Sequence, residues 1–105
     1  VRLVILESPY AGDIEANVRY AREAMADCLR RGDAPFASHL IYTQPGVLRD
    51  EIAVERQLGI DAGLAWGEKA GATVVYTDLG TSRGMEYGIA AAIKAGRPIE
   101  FRSIR

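Results

Sequence analysis

An α/β fold built on a parallel sheet is predicted by three features of this 105-residue sequence. Four short apolar runs carry β-branched residues, helical segments alternate with them, and capping residues mark the junctions. Continuous apolar runs are the pattern of strands covered on both faces, as parallel sheets require. The length suits a single domain over residues 1–105 that removes roughly two-thirds of its unfolded surface from water.

Residues 2–7, RLVILE, form the first strand. From Ile14 the apolar positions Ile14, Val18, Ala21, Met25, Cys28 and Leu29 fall on one face of a helix, with Asp13 where an N-cap belongs and Gly32 where the helix should stop. APFASHLIY, residues 34–42, reads as a second strand with an irregular exit through His39 to Gly46. A second helix is expected over residues 50–69, and ATVVYT, residues 72–77, is a third buried strand. The final helix, residues 84–95, ends at AGRP, where Gly96 serves as the cap and Pro98 bars continuation; PIEFRSI is the last strand.

Right-handed crossovers and a most hydrophobic first strand predict the order 2-1-3-4, a small Rossmann-like three-layer sandwich with strands one and three side by side. The winding reverses between those two strands, and ligands of such sheets sit beyond their carboxyl ends. SPYAGD, residues 8–13, and DLGTSRGMEYG, residues 78–88, are the loops that line this crevice.

Hydrophobic residues at 49% and charged residues at 26% give a globular rather than a disordered or membrane composition. A net charge of -1 supplies no basic field for nucleic acid. The first apolar stretch is too short to cross a membrane and contains Arg2, and the lone Cys28 cannot close an intrachain disulfide. The expectation is a cytoplasmic protein with neither nucleic acid nor membrane as partner.

In the second loop, Gly80, Gly84, the hydroxyls of Thr81 and Ser82, and the Arg83 guanidinium immediately precede a helix. Unpaired N–H groups and the positive helix end there favour an anion such as phosphate, although the same residues also serve as an ordinary cap and turn. The loop is neither a Walker loop nor a GxGxxG fingerprint. Glu86, in the first helical turn, and Asp78, at the strand's end, are either dipole-stabilised structural acids or groups aimed at a ligand. In the first loop Tyr10 offers a flat face, and Asp13 and Asn17 offer polar contacts one turn apart. His39 is the only histidine, so no metal site is expected. Gly59, Gly63 and Gly67 stand four residues apart on one helical face, a stripe that calls for close backbone approach by the chain's own sheet or by a second subunit.

The ordered set SPYAGD, SHLIYTQ and DLGTSRGMEYGIAAAIKAGRPI resembles the nucleoside 2-deoxyribosyltransferase-like superfamily over nearly the whole chain. It looks closest to the small bacterial and phage members. The resemblance implies a glutamate nucleophile at the start of the helix after strand three, and the ExGxA pattern is matched by Glu86, Gly88 and Ala90, as DxGT is by Asp78, Gly80 and Thr81. Anchored instead on SxGM, Ser82 to Met85, the small relatives place their glutamate where this chain has Gly88. Either Glu86 serves through a shifted loop, or the chain is a nucleotide-binding module without catalysis.

The resemblance further implies N-glycosidic cleavage or base exchange on a (deoxy)nucleoside or its 5′-monophosphate, without a cofactor, by the logic of a retaining glycosidase. It puts Ser8, Tyr10 and Asp13 beside base or sugar, and Ser82 with the backbone of Arg83 and Gly84 on phosphate. Pro9, Gly12, Asn17, His39, Thr81 and Met85 complete the expected binding set, and a homodimer or larger homo-oligomer is implied by pockets shared between subunits.

Overall fold

The structure, a computed structural model, describes residues 1–105. Its elements are β1 (Arg2–Glu7), α1 (Ile14–Arg30), β2 (Asp33–Phe36), α2 (Ser38–Ile41), α3 (Ala53–Gly67), β3 (Ala72–Tyr76), α4 (Arg83–Lys94) and β4 (Ile99–Arg102). All four strands are parallel in the order β2-β1-β3-β4, as the crossover rule predicts. No helix is long and apolar enough to cross a membrane.

One face of the sheet carries the core. Val4 and Leu6 of β1, with Ala72, Val74 and Tyr76 of β3, pack against Tyr20, Ala21, Ala24 and Cys28 of α1. Alternation turns Ile5 and Glu7 to the opposite face, toward α3 and α4. That face is covered less completely than an apolar strand implies, for Ile5 is only half-buried and Leu3 is exposed. The reason is that α3 stands off β1 and encloses a cavity between them.

The second strand is shorter than expected. It stops at Phe36, and residues 38–41 form the helical turn α2 instead of continuing the strand through His39. Thr43 and Gln44 explain the departure, since their side chains donate to the carbonyls of His39 (2.5 Å) and Leu40 (2.8 Å) and so close the short helix. Pro35 sits without penalty because β2 is an edge strand. Helix α3 begins later than residue 50, for Glu55 accepts from the Arg49 N–H at 3.0 Å and holds residues 49–52 in a turn. Gly96, at φ +68°, follows the cap residue Ala95 and ends α4 as the sequence indicates.

The glycine stripe of α3 faces its own chain. A side chain at Gly59 would meet Leu48 at 3.3 Å, at Gly63 the Ser38 hydroxyl at 3.0 Å, and at Gly67 the Arg97 guanidinium at 3.2 Å. The stripe therefore lets α2, the following loop and Arg97 approach α3, and it gives no support to a contact between subunits.

An ion-pair network ties three strands together. Arg102 meets Asp33 at 2.7 Å and Glu100 at 2.9 Å, and Arg2 bridges the same two acids. The Arg102 and Asp33 side chains are both buried, and Arg102 holds the Asp33 carboxyl below its ordinary range. Removing Asp33 leaves the buried Arg102 guanidinium with the partly exposed Glu100 as its one remaining carboxylate, whereas removing both members of the pair leaves no underpaired buried charge. Asp33→Ala should cost about 3 kcal/mol in urea unfolding, and adding Arg102→Met should recover most of it. A double variant no more stable than the single would show that the pair is not the source of the loss.

Candidate functional site

The crevice at the carboxyl ends of β1 and β3 holds a cavity of about 570 Å³. Its floor is Ile5 and Glu7, one wall comes from the loop after β1, a second from α2 and α3, and a third from the N-terminal half of α4.

The SPYAGD loop is shaped by residues that themselves avoid the cavity. Gly12, at φ +101°, makes the turn that a side chain would disfavour. Asp13 caps α1 by accepting from the Ala16 N–H at 3.2 Å, and Asn17 donates to the carbonyls of Tyr10 (2.9 Å) and Ala11 (3.1 Å). With Pro9 buried beneath them, these bonds leave Ser8 and Tyr10 facing the crevice. Expected as ligand contacts, Pro9, Gly12, Asp13 and Asn17 lie off the cavity lining: Pro9 is buried, Gly12 makes the turn, and the side chains of Asp13 and Asn17 are occupied in building the loop.

His39 arrives from α2 and meets the Ser8 hydroxyl, Oγ to Nε2, at 2.7 Å. Burial pushes the imidazole down to about 4, so it is neutral at pH 7. Across the crevice, Ser82 caps α4 by accepting from the Met85 N–H at 3.2 Å, while its own N–H donates to the Met85 sulfur at 3.4 Å. The N–H groups of Arg83 and Gly84 have no carbonyl partner, as in any first helical turn. Ser82, Arg83, Gly84 and Met85 all line the cavity; Thr81 is exposed and does not.

The two acids of this loop lie elsewhere. Asp78 accepts from the hydroxyls of Ser103 and Tyr20, both at 2.6 Å, and from the N–H groups of Ile104 and Arg105, both at 3.0 Å. Those donors, Ser103 first, hold its carboxyl far below the usual range, and it serves to fasten residues 103–105 to α1 and β3. Glu86 is exposed and off the cavity lining, since its position on α4 turns it away from the crevice that Met85 and Gly88 face.

Residues that the loop patterns do not disclose are Glu7 and Arg97. Arg97, beyond α4, lines the cavity while anchored to Thr73 Oγ1 at 3.0 Å and the Gly67 carbonyl at 2.7 Å. Glu7 is the one acid in the first apolar run, and burial pushes it up to about 8 against the opposing pull of Arg97. No three His, Cys, Asp or Glu side chains converge to hold a metal ion.

A model of a domain family of unknown function (DUF7768) matches residues 2–102, and the chain belongs to that family. Among solved structures, it is similar to a 2-deoxyribosyltransferase from the psychrotolerant bacterium Bacillus psychrosaccharolyticus, described as a biocatalyst for synthesis of antiviral and antitumoral nucleosides. The TM-score is 0.74 at 18% identity, over 96% of this chain and 72% of that one, so the two share a fold. No curated protein matches the sequence.

Neutral His39 makes the fold acid-sensitive in a defined window. Between about 6.5 and about 4 the unfolded chain carries a proton on this residue that the folded chain does not, so stability falls as pH is lowered through that range. Relative to His39→Asn, the wild type should lose on the order of 3 kcal/mol between pH 7 and pH 4 in urea titrations. Parallel pH dependences for the two proteins would show that the imidazole is protonated in the fold.

Proposed function

We propose that the chain cleaves, or exchanges the base on, the N-glycosidic bond of a (deoxy)nucleoside or its 5′-monophosphate held in this cavity. One observation carries the reading: the cavity opens where the sheet reverses its winding, with Ser8 and Tyr10 on one side and the N-terminus of α4 on the other, in a fold shared with a 2-deoxyribosyltransferase. Tyr10 supplies a face for the base, Ser8 and neutral His39 offer polar contacts, and the free N–H groups of Arg83 and Gly84 suit a phosphate. The single unpaired Cys28 suits the cytoplasm.

A second reading, a binding module without catalysis, draws on the placement of Glu86 outside the cavity and the absence of a side chain at Gly88. Chromatography separates the two. Wild-type protein incubated with a panel of nucleosides and 5′-monophosphates is expected to release free base; tight binding by calorimetry without any release would favour the binding module. Ser82→Asp puts a fixed negative charge beside the α4 N-terminus and should weaken 5′-monophosphates more than tenfold while leaving nucleosides within about threefold. Equal effects on both would move the phosphate elsewhere.

Self-association belongs to the same proposal, supported by the exposed apolar side chains Val54, Leu58 and Trp66 of α3. Light scattering at high micromolar concentration is expected to give a dimer or larger species, and Leu58→Glu a monomer. A monomeric wild type would remove the idea.

A further inference from the structure

Three carboxyl groups line the cavity, and only one is without an internal role or a place in a surface turn. Glu55 is bound by the Arg49 N–H and faces its guanidinium, and Asp50 belongs to the turn that leads into α3. Glu7 rises from the sheet itself, at the end of β1 beside Val75 of β3. Its carboxyl forms no hydrogen bond with the chain, and Arg97 is the single charged group that acts on it.

The helix opposite is built to admit this carboxyl. Gly88 lies in the interior of α4, where glycine is a poor helix former, yet a Cβ there would overlap the Glu7 carboxyl, whose Oε1 lies 2.8 Å away as the most distant of its three atoms. The glycine and the acid thus explain each other. A carboxyl brought into a ligand cavity, left without a partner from the protein and given room by a missing side chain has its partner in the ligand.

We propose that Glu7 is the catalytic acid of this site, giving its carboxyl proton to the departing base, and that Gly88 is the gap that lets it reach the glycosidic bond. The proposal rests on the nucleoside reading above. In the step, the Glu7 O–H bond breaks as a nitrogen or exocyclic oxygen of the base takes the proton. The bond from C1′ to the base nitrogen then breaks with its electron pair going to the base. A water oxygen adds to C1′ and its proton returns to the Glu7 carboxylate, so one water is consumed and the enzyme is restored. In base exchange the incoming base adds through its N–H nitrogen and returns that proton in the same way.

Burial keeps Glu7 protonated up to a pH of about 8, which is the form the step requires. The other titratable or charged groups facing the cavity with it are neutral His39 from α2, Asp50 in the turn before α3, Glu55 and Arg56 at the start of α3, Arg83 from α4, and Arg97. The phenols Tyr10, Tyr42 and Tyr87 face it as well.

The test compares wild type, Glu7→Gln and Gly88→Ala in base release, with calorimetric binding of a nucleoside 5′-monophosphate as the control for an intact site. Glu7→Gln is expected to lose at least a hundredfold in kcat on ordinary nucleosides with binding within about threefold, and wild-type kcat/KM to fall above a pH of about 8. On a 7-methylpurine nucleoside, whose base departs without needing a proton, the same variant should retain activity within about tenfold. Gly88→Ala, which displaces the carboxyl, should reproduce the selective loss. Equal losses on both substrates, or a rate that rises through a pH of about 8, would overturn the proton-donor role; undiminished release by Glu7→Gln would remove Glu7 from the chemistry. Absence of release by wild type on every substrate would instead bring down the glycosidic reading and this proposal with it.

Discussion

The two-residue period of β1 divides the protein's labour. Val4 and Leu6 turn toward α1 and vanish into the core, while Ile5 and Glu7 turn to the cavity. A slip of one residue would drive the Glu7 carboxyl into the layer formed by Tyr20, Ala21 and Ala24, and would leave two core side chains facing the crevice. Desolvating an unpaired carboxyl among apolar side chains is costly enough to make such a register untenable. Pairing on both edges, Leu3 with Ala34 and Val4 with Ala72, then holds the strand where this alternation is satisfied.

Polar residues around the crevice fall into two groups that resemble each other in sequence. Asp13, Asn17 and Asp78 spend their hydrogen bonds inside the chain, on a helix cap, on loop carbonyls and on residues 103–105. Glu7 spends none there, and Ser8 and His39 are joined mainly to each other. An acid fully supplied with donors is held as a stable anion and builds structure. An acid deprived of donors, next to open volume, keeps its proton and its reactivity.

The sheet order was legible because parallel strands joined by helices admit few arrangements, and the winding reversal located the crevice from the same argument. The turn at Ser38–Ile41 was not, because it depends on Thr43 and Gln44 reaching back to carbonyls, a local competition that the apolar pattern of residues 34–42 conceals. For Gly59, Gly63 and Gly67 the spacing announced close approach, but no spacing names the partner, and it proved to be the chain itself. Glu7 was hidden by treating RLVILE as one apolar run. Its strand parity with Ile5, at the lip of the crevice, was the available signal for its place on the cavity floor, whereas the resemblance pointed to Glu86, which α4 holds off the cavity lining.

The seam between β1 and β3 has a kinetic meaning as well. Residues far apart in the sequence meet there, Val4 with Ala72 and Glu7 with Val75, so a long loop must close before any of the pairing is gained. The crevice straddles that seam and draws its remaining walls from α2, α3 and α4, so no partly folded chain contains it. A molecule bound in the crevice would therefore bind the native state alone and draw the unfolding equilibrium back by mass action, so that protection from proteases would follow its concentration.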